Sequence, residues 1–199
     1  MQARLFKNRI NSNKTMLETC VEWHTDLTPA LEQEITRINV QAFTELYAPY
    51  SATELGLAAE TTKADFIRRL VDEPIAAFKQ GQHHIATISL LDKVVGFVMC
   101  TNINSRDVFI SLIAVKPLHY LSGKHAKINI GLGTQLIESV INKFPDANTV
   151  KLDTRTLNYS GIDFYRHLGF QIHENKTFGG SSPLYYVACQ KVLPLRRMI

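Results

Sequence analysis

The order of segments in this chain predicts an α/β fold, with a mixed and mostly antiparallel sheet of about seven strands and helices on both faces. Three observations carry that prediction. β-rich runs at 84–90, 94–102 and 107–115 succeed one another with short connections, the pattern of an antiparallel meander. Downstream, a helix-spaced segment at 131–144 leads to a strand at 150–154, and a second helix at 159–167 leads to a strand at 170–173. Upstream, one strand and two helical stretches precede the meander, so the whole order is β-α-α-β-β-β-α-β-α-β-β.

Each element has a local reason. Residues 19–24 alternate as a strand does. Thr28-Pro29 opens the first helix, because threonine can cap and proline suits the first helical position. Leu31, Ile35, Ile38, Ala42 and Leu46 then share one face until Ala48-Pro49-Tyr50 breaks the run. A second helix is read at 64–71, ended by Pro74. Leu91-Asp92-Lys93 joins the first two meander strands as a hairpin, and Pro117 stops the third. A polar stretch at 118–130 comes next. The helix at 131–144 buries Leu132, Leu136, Val140, Ile141 and Phe144 along one face. The last strand, 185–192, is reached through Gly179-Gly180-Ser181-Ser182-Pro183.

The 199 residues, 45% of them hydrophobic, suit one domain with a full core. That domain is taken as 19–193, between a basic arm at 1–18 expected to be flexible and a short basic tail at 194–199. A net charge of +4 favours anionic ligands without naming one. Much of the excess lies at the ends, in Arg4, Lys7, Arg9 and Lys14 and in Arg196 and Arg197. No basic stripe interleaved with aromatics marks a nucleic-acid surface, so no nucleic-acid partner is expected. Cys20, Cys100 and Cys189 are far apart and lack metal-ligand spacing, so free thiols, no metal and a cytoplasmic location are expected. No apolar run reaches the ~18 residues of a membrane span, and no membrane partner is expected. The expected oligomeric state is a monomer or a homodimer.

Two segments carry chemistry. Gly131-Leu132-Gly133-Thr134 opens an amphipathic helix. The first amides of a helix have no internal partners and point outward at its positive end, and glycines let an anion come close to the backbone. This is not a nucleotide P-loop, since no Gly-Lys-Ser/Thr follows. The second segment runs from Asn158 to Phe170. Asn158 stands at a helix entrance, and Ser160 and Asp163 are spaced as a capping box. Arg166 and His167 suit the last turn, and Gly169 ends it. Tyr165 fits either a half-buried core position or a proton donor to a leaving group.

In this order and spacing the two segments resemble the GNAT N-acetyltransferase superfamily, well over roughly 94–170 and loosely on the flanks. Val94-Val95-Gly96-Phe97 looks like its third strand, Ile113-Ala114-Val115 the end of its cofactor-binding strand, and Gly131-Leu132-Gly133 the end of its pyrophosphate loop. Leu152-Asp153-Thr154 and Asn158 fit the following strand and its asparagine. Phe164-Tyr165 and Leu168-Gly169-Phe170 match its signature helix end, the most specific part. The chain departs from the pattern at Ile128, where the family usually has Gln or Arg, and in a longer loop that contains His119, Lys124, His125 and Lys127.

The resemblance implies a parallel pair of central strands that splay apart around acetyl-CoA as co-substrate. Backbone groups near Ile113 and Val115 would pair with the pantetheine arm, and amides of Gly131, Leu132, Gly133 and Thr134 would hold the pyrophosphate. Asn158 would hydrogen-bond the cofactor or a water, and Tyr165 would protonate the departing thiolate. The implied function is direct transfer of an acetyl group to an amine of a small molecule or protein. The alternative is a non-catalytic acyl-CoA-binding module on the same fold. The base stays open: the stretch Ser111-Leu112-Ile113 has no acid, and Asp107, His83 and His84 are candidates by location alone. Phe43, Tyr47 and Tyr50 could line an acceptor site.

Overall fold

The fold is that of a computed structural model, which describes residues 4–7, 18–104, 106–117 and 131–193. The loop at 118–130, with Lys124, Lys127 and Ile128, lies outside the described residues, as do Arg9, Lys14 and the tail at 194–199. One eight-stranded sheet runs in the order β1-β2-β3-β4-β5-β6-β8-β7. Its strands are β1 (Arg4–Lys7), β2 (Glu18–His24), β3 (His84–Leu90), β4 (Lys93–Asn104), β5 (Asp107–Val115), β6 (Thr149–Arg155), β7 (Gln171–His173) and β8 (Tyr186–Val192). Seven of these match the expected strands. The eighth, β1, comes from the segment read as a flexible arm and pairs antiparallel with β2 at the sheet edge.

Helices α1 (Pro29–Tyr47) and α2 (Lys63–Lys79) cover one face, and α3 (Leu132–Lys143) and α4 (Tyr159–His167) cover the other. The central strands are therefore buried on both faces. Adjacent residues divide between two cores: Ile85 and Phe97 pack with Ile35, Ile38, Val71 and Ile75, whereas Ala86 and Val98 pack with Leu132, Leu136, Ile137 and Val140. This double burial explains why 94–100 reads as a nearly continuous apolar run.

Thr28 caps α1 as expected, its side chain accepting from the Leu31 amide at 3.2 Å, with Pro29 in the first turn. The β3–β4 hairpin turns on two residues, Leu91 and Asp92, both at positive φ (50° and 60°). That is the backbone of a primed turn whose twist matches the strands. One boundary is corrected. The second helix does not end before Pro74 but runs through it to Lys79. Proline removes one amide and crowds the preceding turn, yet Val71, Ile75 and Phe78 on either side of it are buried against the sheet. Tertiary burial outweighs the local penalty.

Candidate active site

The site is built where the sheet comes apart. β5 and β6 are the one parallel pair among the described residues, in register from Asp107↔Thr149 to Ile110↔Leu152. Beyond that point β5 continues to Val115 beside β4, and β6 continues to Arg155 beside β8, but the two no longer pair. The cause is visible in β5. Its register with β4 passes from Ile110↔Cys100 to Leu112↔Met99, leaving Ser111 as an extra residue. Such a bulge bends its strand and increases local twist. It falls immediately after the last β5–β6 pair, and the Ser111 hydroxyl ties it down by donating to the Met99 carbonyl at 3.1 Å.

The two chemical segments close the opening. Gly131 stands before α3 in the left-handed conformation (φ 59°, ψ 32°) and supplies no side-chain cap. The amides of Leu132, Gly133 and Thr134 open the helix, where intrahelical acceptors are lacking. The absence of a side chain at Gly133 also serves packing. A Cβ there would lie 3.0 Å from Phe164 Cζ, so its missing side chain lets α4 pack against α3.

Asn158 caps α4: its Oδ1 accepts from the Gly161 amide at 3.0 Å, and its Nδ2 donates to Thr154 Oγ1 at 2.9 Å. The expected capping box between Ser160 and Asp163 does not form. The Ser160 hydroxyl donates to Asn158 Oδ1 at 3.4 Å and Asp163 pairs with Arg166 at 3.1 Å. Asn158 lies so close over the first turn that a Cβ on Gly161 would sit 2.3 Å from its Nδ2. At the other end, Gly169 (φ 82°) carries the chain out of the helix. The Phe170 amide donates to the Tyr165 carbonyl and the Gly169 amide to the Arg166 carbonyl, a Schellman pair.

These caps fix Tyr165 from both sides. Its side chain is only 6% exposed. The ring packs against Phe164 (5.3 Å between centroids) and Phe170 (5.6 Å). Burial, with Cys189 and Tyr47 adding to it, raises its pKa above the ordinary phenol value. The phenol therefore keeps its proton throughout the neutral range.

The eight residues expected to bind the co-substrate or to protonate the leaving group meet in one place. Ile113, Val115, Gly131, Leu132, Gly133, Thr134, Asn158 and Tyr165 line a single cleft of about 720 Å³ bounded by the β5 end, the α3 N-terminus and α4. A second cleft of about 440 Å³ adjoins it, and Phe43, Ile113, Asn158 and Tyr165 line both. Of the aromatic residues proposed for an acceptor site, Phe43 and Tyr47 line this second cleft. Tyr50 does not, and its hydroxyl donates to the Leu157 carbonyl at 3.1 Å.

The candidate bases separate clearly. Asp107 lies at the paired end of β5, hydrogen-bonded to Lys151 (2.8 Å), to Thr149 and to Asn104 (2.9 Å). Lys151, Thr149 and Asn104 hold its carboxyl down to about 2, which makes it a poor proton acceptor. His84 stacks edge-on against Phe144 at 5.1 Å, away from both clefts. His83 does line the second cleft, with Nδ1 buried and without a hydrogen-bond partner. Burial, then His84, lowers its pKa, so it is neutral at pH 7.

Sequence reasoning missed the polar residues of the second cleft, among them Glu73, Asp153 and Arg155. Glu73 was hidden by the expectation that its helix ended early. Arg155 lies one residue beyond the expected strand end, where an arginine reads as solvent-facing. It is in fact 6% exposed and stacked between Phe66 (4.6 Å) and Tyr186 (4.4 Å). Cys100 and Cys189 are free thiols that burial pushes up to about 12, and Cys20 is also free. Among the described residues no group of His, Cys, Asp and Glu could hold a metal ion, and no helix is long and apolar enough to cross a membrane.

Comparison with known proteins agrees with this geometry. The chain is similar in fold to a PaiA N-acetyltransferase from Thermoplasma acidophilum solved in complex with coenzyme A, at 17% identity over 87% of this chain and 99% of that one, with a TM-score of 0.56. It is similar to an aminoglycoside 6'-acetyltransferase type Ii, at 15% identity over 87% and 97% of the two chains and a TM-score of 0.57. It is also similar to an acetyltransferase from Streptococcus agalactiae, at 12% identity over 88% and 98% and a TM-score of 0.58. At these identities the likeness is one of fold. No curated protein matches the chain by sequence. The model of the acetyltransferase (GNAT) family matches residues 34–170, which span α1 to the end of α4 and both sides of the cleft, and the chain belongs to that family.

Proposed function

We propose that the chain is an N-acetyltransferase that moves an acetyl group from acetyl-CoA directly to an amine. The single observation that carries this reading is the convergence of Tyr165, the β5 end and the α3 N-terminus on one cleft. The fit to the co-substrate rests on three features. The unpaired edge of β5 at 111–115 offers backbone donors and acceptors to an extended arm. The left-handed Gly131 and the amides of Leu132, Gly133 and Thr134 present donors to a diphosphate. The cleft, at about 720 Å³, is large enough for a cofactor arm.

Bound acetyl-CoA supplies an activated acetyl thioester. The chain's own residues do the rest. Ile113 and Val115 offer backbone groups to the arm, and the α3 amides hold its anionic end. Asn158 holds α4 in place through Thr154 and Gly161, and with one Nδ2 hydrogen uncommitted to either bond it lines both clefts, where it can hydrogen-bond the cofactor or a water. Tyr165, neutral because buried, hydrogen-bonds and protonates the leaving sulfur, and the proton lost by the amine restores the balance. The amine enters from the second cleft, which shares Tyr165 with the first.

The test is free-thiol release from acetyl-CoA across a panel of small amines and peptides, with product identity checked by mass. Amine-dependent release with an acetylated product supports the reading. Coenzyme A binding with no transfer to any amine would make the chain a binding module instead.

A further inference from the structure

We propose that the second cleft takes a small amine bearing a carboxylate, and that Arg155 is the residue that recognises the carboxylate. The inference deepens the transferase reading and rests on it. Arg155 ends β6 and is more than nine-tenths buried. One of its donors, Nη1, is used by the Leu55 carbonyl. Its Nε is buried without a hydrogen-bond partner, and among the described residues no carboxylate forms an ion pair with it. A buried charge is costly unless it is paired or hydrogen-bonded. The faces of Phe66 and Tyr186 offset part of that cost and hold the guanidinium plane in a fixed orientation. The Tyr186 hydroxyl also hydrogen-bonds the guanidinium, but neither aromatic residue supplies a charged acceptor for the fork of five donors that a guanidinium directs in its plane. A carboxylate matches that planar fork.

The rest of the cleft narrows the ligand. Its volume of about 440 Å³ suits a small molecule. Arg155 and Tyr165 line the same cavity, so a molecule anchored by its carboxylate has room to turn its amine toward Tyr165. Two carboxylates, Glu73 and Asp153, also line it. Asp153 is held by the amides of Phe178 (2.9 Å) and Gly179 (2.7 Å). One buried cation among two anionic groups suits a zwitterion of the amino-acid type better than a polyanion, which the carboxylates would repel, or a plain amine, which would leave the Arg155 charge without a counter-ion.

Two measurements on the full chain test this. The first is calorimetric binding, without coenzyme A, of N-acetyl-L-amino acids, each paired with its carboxamide. These mimic the acceptor after transfer and differ in the one group at issue. The expected result is saturable binding of at least one acid, about tenfold to 100-fold tighter than its amide. Arg155→Gln is expected to abolish that preference, and Arg155→Lys, which keeps the charge and loses the fork, to reduce it. A purely structural role for Arg155 would not discriminate acid from amide. Should the variants fail to fold, the comparison on the unmodified chain still decides. Equal binding of acid and amide, or no saturable binding of any acid, overturns the proposal. The second measurement is the coenzyme A melting shift and thiol release. Loss of these with the acid preference intact would sink the transferase reading and leave the Arg155 site standing. Amine transfer with no acid preference would sink the Arg155 site alone.

Discussion

Replacing Tyr165 by phenylalanine removes one oxygen from a ring that is 6% exposed and leaves its packing intact. Phe164 and Phe170 stay at their centroid distances of 5.3 and 5.6 Å. The hydrogen bonds that end α4 are main-chain bonds and survive the change. The stability cost should therefore be about 1 kcal/mol or less. The loss of a proton donor at the leaving group should lower kcat by about 10²–10⁴-fold, a barrier increase of about 2.7–5.5 kcal/mol. The second effect is several times the first, so the two can be separated. The assay is thiol release at saturating acetyl-CoA, alongside coenzyme A calorimetry and thermal unfolding of the same samples. Because burial raises the pKa of this phenol, the unmodified chain should show no loss of rate from its ionisation up to about pH 10. An unchanged kcat in Tyr165→Phe would remove the hydroxyl from the chemistry. A parallel fall in coenzyme A affinity or in melting temperature would show that the ring was positioning the cleft rather than donating a proton.

Other perturbations probe the frame. Gly131→Ala meets no atom closer than 3.9 Å, so its cost is the left-handed backbone alone, about 1–2 kcal/mol in denaturant unfolding, with weaker coenzyme A binding by calorimetry. In Gly133→Ala the new Cβ would approach Phe164 to 3.0 Å and should displace α4, lowering kcat even where coenzyme A still binds. Gly161→Ala would force Asn158 out of its cap, destabilising the fold by about 1–2 kcal/mol, and Asn158→Ala should cost a similar amount in the same unfolding assay. Asp107 has a folded pKa of about 2 against an ordinary value of 3.8, chiefly through Lys151. Its stabilisation is therefore present above the unfolded value and is lost as pH falls through the folded one. The gap in urea midpoint between the unmodified chain and Asp107→Asn should be full near pH 6 and close between about pH 4 and pH 2. A constant gap across that range would mean that the carboxylate is not paired.

The Tyr165 helix was legible in the sequence to its last residue. The reading of 159–167 coincides with α4, because Asn158 and Gly169 terminate it by contacts within a few residues. The turn into α3 was legible for the same reason, since Gly131 and the α3 face at Leu132, Leu136 and Val140 are local facts. Where a local signal met a distant partner, the reading failed. Pro74 should have stopped a helix, and burial of Val71 and Ile75 against the sheet carried α2 past it. The segment Arg4–Lys7 read as an arm because its charges say nothing of the open β2 edge that receives it.

Local order in the chain was thus determined by short-range rules: caps, glycines at positive φ and the spacing of apolar side chains. These act over one or two turns and need no knowledge of the fold. The site itself was decided by the tertiary structure. The bulge at Ser111 exists because β4 pairs across it, and the parting of β5 from β6 follows from that bend. The charge of Arg155 is buried because Phe66 from α2 and Tyr186 from β8 close over it. Such features depend on residues far apart in sequence meeting in space, and pairwise contact at that range leaves no periodic trace along the chain.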